Sequence, residues 1–209
     1  MVDYFRAALS GSGQVFAADY TPLSPALYRA DDAVRLPKSV DDAYAREILA
    51  QCLRREVRLV VPFSDLELPV LSRHVGEFSE QGVELMVCDP EAIDVCTNKW
   101  KTYLHLKKAG IPVPETYDQL DEALAREVLP LVIKPKCGSA SRGLHVLGEE
   151  RAIRSLWRDG YIAQRQVIGP EYGLDILLDL DGRVLSVMPR RKLAMRAGET
   201  DKAACVHDE

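Results

Sequence analysis

The sequence predicts an α/β fold, a parallel sheet domain followed by an α+β domain, and three features point to it. Short β-branched runs alternate with amphipathic helical stretches through residues 1–96. A different order follows from 97 onward, where strands succeed one another around a Gly/Ser-rich loop and an Asp181-Gly182 hairpin signal. The composition, 47 % hydrophobic and 28 % charged over 209 residues, suffices to bury the core of one large or two small domains.

The first domain reads as follows. Val2–Leu9 is a short helix stopped by Gly11-Ser12-Gly13, and Gln14–Asp19 is a strand ending in an acid. Ala33–Leu36 is a strand closed by Pro37. Asp41–Glu56 is helical, with Asp41 as N-cap and Ala45, Ile48, Leu49, Cys52 and Leu53 on one face. Val57–Val61 is a strand stopped by Pro62, Leu66–Gln81 a helix with Pro69 in its first turn, and Val83–Cys88 a further strand. The reading opens inside a helix, so the buried strand and Gly-rich turn that normally begin a doubly wound sheet are expected to be missing. A missing first strand exposes a sheet edge that pairs with other chains.

The second domain, 97–209, starts with a helix from Lys99 to Ala109, capped by Thr97 or Asn98 and ended by Gly110. Pro112 and Pro114 hold the next stretch extended. Asp118–Leu129 is helical; Leu131–Lys134 and Gly143–Leu147 are strands around a polar loop; Glu149–Trp157 is a helix. Strands follow at 161–166, 171–179 and 183–191.

The charge of −5 with mixed signs argues against a nucleic-acid surface, and no apolar run reaches the length of a membrane span. The start lacks the pattern of a signal peptide. Five cysteines without CxxC spacing read as reduced thiols of a cytoplasmic protein. His74, His105, His145 and His207 show no metal-ligand spacing. Gly11-Ser12-Gly13 is no dinucleotide fingerprint, because it follows a helix and precedes a strand, the reverse of the required order.

The segment 133–144, Ile-Lys-Pro-Lys-Cys-Gly-Ser-Ala-Ser-Arg-Gly-Leu, is the most informative. A strand ends in Lys134 and runs into a loop of small residues whose backbone N–H groups can approach an anion closely. On these residues alone, a phosphate loop and a solvated Gly/Ser turn both stand. The basic stretch 190–202 is likewise open between a solvated loop and a substrate-facing one.

Together with Asn98-Lys99 upstream and Gln164-Arg165-Gln166-Val167-Ile168-Gly169-Pro170-Glu171 downstream, the loop resembles the ATP-grasp superfamily. The likeness is greatest to its carbamoyl-phosphate-synthase-like and biotin-carboxylase-like members. The first half then resembles the Rossmann-like domain that precedes the grasp fold. The resemblance implies an ATP site in which Lys99 and Lys134 hold phosphates and the loop with Gly138, Ser139 and Gly143 closes over them. It implies that backbone groups from Gln164 to Val167 meet adenine and that Glu171 meets the ribose. Arg165 stands where many members carry an acid. Arg196 and Glu199, in a Gly198-Glu199-Thr200 turn, are expected near phosphate and substrate.

The implied reaction is ATP-dependent ligation of a small-molecule carboxylate to an amine or other nucleophile through an acyl phosphate. The alternative is a nucleotide-binding or scaffolding protein without turnover, a homo-oligomer or one completed by a partner chain. Family members bind Mg²⁺ through residues of a later segment, expected to be absent here, so the ATP-grasp domain is expected to be incomplete and little turnover is expected from this chain alone.

Overall fold

The computed structural model describes residues 1–38, 41–179 and 181–206; His207 lies outside them. The chain divides into two compact units, Met1–Asp94 and Val95–Glu209.

In the first unit, α1 (Val2–Leu9) precedes β1 (Phe16–Asp19), and β2 (Asp32–Arg35) pairs with β1 in parallel. α2 (Asp42–Arg54) begins where the Asp41 carboxylate accepts from the Ala43 and Tyr44 amides at 3.0 and 3.1 Å. β3 (Leu59–Val60) and β4 (Glu84–Leu85) form a second parallel pair. The α/β class is therefore present. Among the described residues, however, its strands are short and form two separate two-stranded sheets.

The core of this unit joins Ala45, Ile48 and Cys52 of α2 to Val70, Leu71, Phe78, Val83 and Leu85. Leu53, expected on the same helical face, is instead 49 % exposed. The helix expected over 66–81 is broken into α3 (Leu68–Leu71), a 3₁₀ turn (Ser72–His74) and α4 (Val75–Glu80). The break has a local cause. The Ser72 hydroxyl and the Arg73 guanidinium both donate to the Pro69 carbonyl, competing with the backbone for that acceptor. α5 spans Pro90–Thr97.

In the second unit, α6 (Lys99–Lys108) is capped by Asn98, whose side chain accepts from the Trp100 and Lys101 amides at 3.0 and 3.3 Å. β5 (Thr116–Tyr117), α7 (Leu120–Arg126), β6 (Leu131–Pro135), β7 (His145–Leu147), α8 (Glu150–Leu156) and β8 (Tyr161–Arg165) follow. The four strands form an antiparallel sheet in the order β5-β8-β6-β7. β5 is absent from the sequence reading because two residues are too few to set a period.

One face of this sheet, with Leu131, Ile133, Ala163 and Tyr117, packs on α7 and α8 through Leu120, Ala123 and Ile153. Leu131, Ile133 and Ile153 are fully buried, each worth roughly 1.5–3 kcal/mol in apolar transfer. That packing leaves the opposite face, with Lys134 and Gln164, for polar work.

β9 (Tyr172–Leu178), β10 (Val184–Arg196) and β11 (Glu199–Cys205) make a second antiparallel sheet in the order β11-β10-β9. The basic stretch 190–202 is thus a hairpin rather than a loop, and its turn is Ala197-Gly198, with φ of 51° and 82°. Glu199 and Thr200, expected in the turn, already belong to β11. Left-handed conformation at both turn residues matches the strand twist, which explains why the turn takes two residues. All five cysteines are free, and no described helix is long and apolar enough to cross a membrane.

The cap of α2 gives a direct test. Asp41→Ala should lower the stability of the chain by about 1 kcal/mol, measured by urea unfolding. No change would mean that the two cap bonds add nothing to the helix.

Candidate functional site

Lys134 lies near the end of β6, opposite the fully buried Ile162 on β8. The sheet register brings Gln164 diagonally alongside it, and the Lys134 ammonium donates to Gln164 Oε1 at 2.7 Å. Gln164 Nε2 in turn donates to Thr116 Oγ1 at 2.8 Å, and the Thr116 hydroxyl donates to the Pro114 carbonyl at 2.9 Å. Gln164 sits between Thr116 on β5 and Val132 on β6. Its backbone is therefore committed to the ladder, and what it offers the site is its side chain.

Burial, and after it the like charge of Lys99, hold the Lys134 ammonium below the ordinary lysine value. Neither Lys99 nor Lys134 has a carboxylate partner among the described residues. Two cations without counter-ions form an electrostatic receptor for an anion.

Lys99 opens α6, where the positive end of the helix dipole adds further positive potential. Its ammonium donates to the Gly138 carbonyl at 2.7 Å, and its amide to the Lys136 carbonyl at 2.8 Å. An isolated bridge pairs Asn98 with Cys137. The start of α6 is thereby fastened to the beginning of the glycine loop.

The loop itself is strained. Gly138, Ala140, Ser141 and Gly143 all have positive φ, and a left-handed conformation at a residue other than glycine costs of order 1–3 kcal/mol. The tip of the β10–β11 hairpin holds it. The Ser141 hydroxyl donates to the Gly198 carbonyl at 3.4 Å, and a Cβ on Gly198 would fall 2.1 Å from the Ala140 carbonyl oxygen. Ser139 lies in the same loop and is exposed.

The remaining expected residues are placed less centrally. Val167 lies beyond the end of β8 and is 70 % exposed. The Glu171 carboxylate accepts from Lys192 at 2.5 Å, so a ribose hydroxyl there would replace an ion pair. Arg165 binds Glu127 through two nitrogens, at 2.7 and 3.1 Å, and so faces the structural ion pair rather than an open site. Arg196 is held by Asp201 at 2.6 Å, across the strands from Glu199. Thr116 escaped the sequence reading. Its only signal there is a β-branched residue two positions after the extended Pro112-Val113-Pro114 stretch.

Comparison with known proteins gives the family. The profile of the ATP-grasp domain family matches residues 96–204, and that of the PylC-like, N-terminal domain matches residues 1–86. The chain belongs to the ATP-grasp family. It is 32 % identical to the uncharacterized protein y4rH of Sinorhizobium fredii, over 44 % of this chain and 23 % of that protein. It is 26 % identical to the carbamoyl phosphate synthase large chain of a Mycobacterium species, over 44 % of this chain and 8 % of that one. The biotin carboxylase domain of Hydrogenobacter thermophilus 2-oxoglutarate carboxylase, solved with MgADP, ADP and bicarbonate, superposes with a TM-score of 0.70 at 18 % identity. That match covers 95 % of this chain and 49 % of the carboxylase domain, so the present chain spans about half the length of that ATP-grasp structure.

The contact between hairpin and loop predicts a position-specific effect. Gly198→Ala should destabilise the chain by about 1–3 kcal/mol and speed hydrogen exchange at residues 138–143. Gly148→Ala, where the added Cβ meets nothing within 4 Å, should do neither. Equal behaviour of the two variants would show that the hairpin does not hold the loop.

Proposed function

We propose that this chain binds ATP, with its phosphates against Lys99, Lys134 and the loop containing Gly138, Ser139 and Gly143. The observation that carries the reading is the pair of lysines, both held by neutral oxygens and, among the described residues, free of carboxylates, at the beginning of a small-residue loop. A triphosphate needs several cations and a backbone cradle, and these residues supply both. The adenine would lie along the chain from Gln164 to Val167, and Glu171, released from Lys192, would accept from the ribose.

The reaction we infer is ligation. A small-molecule carboxylate attacks the γ-phosphorus of ATP and ADP leaves; an amine or another nucleophile then attacks the acyl carbon of the acyl phosphate, and inorganic phosphate leaves. Lys99 and Lys134 would hold the phosphates in place, while the loop limits the access of water. Arg196 and Glu199 would lie toward phosphate and substrate, once Arg196 exchanges Asp201 for an anion.

Members of the family use Mg²⁺ with ATP, and the carboxylase domain noted above was solved with MgADP. Among the described residues no group of three or more His, Cys, Asp or Glu is placed to hold a metal.

The alternative is a protein that binds nucleotide without turnover, a homo-oligomer or one completed by a partner chain. Its support is the second sheet, where Leu174, Ile176, Leu178, Val184 and Val187 share one face and are each half exposed or more. A cytoplasmic setting with reduced thiols is supported by the five free cysteines. Release of ADP in the presence of magnesium, ATP and a panel of carboxylates and amines separates ligation from binding alone.

The binding claim is tested first. Lys134→Ala should weaken a non-hydrolysable ATP analogue by about 1.5–3 kcal/mol, the range of a charge-assisted hydrogen bond, read by calorimetry. An intact, folded chain that binds no analogue would overturn the proposal.

A further inference from the structure

We propose that Thr116 is a positioning residue for the nucleotide site, acting through Gln164 on the Lys134 ammonium. The inference rests on the reading of Lys134 as a phosphate ligand and adds a residue that does not itself bond Lys134 but reaches it through Gln164.

The three hydrogen bonds from Lys134 to Gln164, Gln164 to Thr116 and Thr116 to the Pro114 carbonyl form one chain with one possible direction. A backbone carbonyl can only accept, so the Thr116 hydroxyl must spend its single proton on Pro114. The hydroxyl then faces Gln164 as an acceptor. An acceptor there selects the amide –NH₂, which turns the amide oxygen toward Lys134. The opposite rotamer would set –NH₂ against an ammonium, donor against donor. A carbonyl just before the edge strand thus decides, two side chains away, which atom meets the lysine.

The setting makes this direction matter. Thr116 is 2 % exposed, so its hydroxyl has little access to water that could replace its partners. Thr116 and Gln164 are direct cross-strand partners between β5 and β8, which fixes their separation through the backbone. The partner of Lys134 is a neutral amide. It orders the ammonium without neutralising it, whereas a carboxylate would compete with an incoming phosphate. Thr116 is what keeps that neutral partner turned the right way.

Thr116→Val keeps the β-branched shape and removes the hydroxyl; Thr116→Ser keeps the hydroxyl. Thr116→Val should weaken the ATP analogue about threefold to tenfold, the range for one lost neutral hydrogen bond, and Thr116→Ser should bind like the parent. In a double-mutant cycle with Gln164→Leu, adding Thr116→Val to Gln164→Leu should cost no further affinity, because the relay is already cut. A purely structural role for Thr116 would instead lower thermal stability and leave affinity unchanged, or would add independently to Gln164→Leu.

A second readout needs no nucleotide. The Lys134 side chain, followed by NMR across a pH titration, should lose its ammonium proton at lower pH in Thr116→Val than in the parent, since a bond to the charged form is lost. Thr116→Ser should titrate like the parent. An unmoved Lys134 titration in a folded Thr116→Val protein would overturn the relay. If the parent binds no ATP analogue, the assigned nucleotide site fails, while the titration still decides whether Thr116 controls Lys134.

Discussion

The structure of the second unit is organised around one interaction, the bond from the Lys134 ammonium to a neutral side-chain amide. A half-buried cation is costly to desolvate, and a protein usually offsets that cost with a carboxylate. Here the amide of Gln164 supplies geometry without charge. The positive charge of Lys134 is therefore still available to a ligand, and the nearby Lys99 adds to it rather than cancelling it. The surrounding sheet makes this tolerable. Ile162 beside Lys134 is fully buried, and Leu131 and Ile133 anchor β6 from the other face, so that the lysine stands on a rigid strand.

Around that bond the neighbouring pieces are tied by backbone contacts. Lys99 reaches back to Gly138, and the hairpin tip at Gly198 meets Ala140 closely enough to exclude a Cβ. The loop between them carries left-handed residues that are not glycine, a conformation that persists only where surrounding contacts over-determine it. The same contacts that hold the strained loop also fasten the helix start and the hairpin tip to it. A loop shaped this way presents backbone groups before any ligand arrives, which reduces the ordering a phosphate must impose.

Much of this was legible in the sequence. The cap at Asn98, the strand ending in Lys134 and the small-residue loop are local signals, set by residue types within a few positions of one another. So are Asp41 as the cap of α2 and Pro69 in the first turn of α3. What the sequence did not disclose depends on long-range register. Thr116 meets Gln164 only because β5 pairs with β8, and two-residue strands leave no periodic trace. The ion pairs that occupy Glu171, just before β9, and Arg196 on β10 join residues brought together by the sheet register, so neither partner could be read from spacing. The stretch 190–202 looked like a basic loop because its charges mask a strand whose turn needs only Ala197 and Gly198. Leu53 was misplaced for a related reason: helical periodicity gives a face, and the width of the neighbouring core decides how much of that face is covered.

The chain belongs to the ATP-grasp family, and within the matched segment two lysines without carboxylate partners among the described residues stand at the beginning of a glycine loop. The central claim is that this site receives nucleotide phosphates, with Lys134 still oriented by Gln164. A crystal structure of the 209-residue chain with a non-hydrolysable ATP analogue tests it most directly. The account predicts a phosphate oxygen within hydrogen-bonding distance of Lys134 Nζ, with the bond to Gln164 Oε1 retained. Nucleotide bound elsewhere on the chain, or bound with Lys134 touching no phosphate, would contradict it.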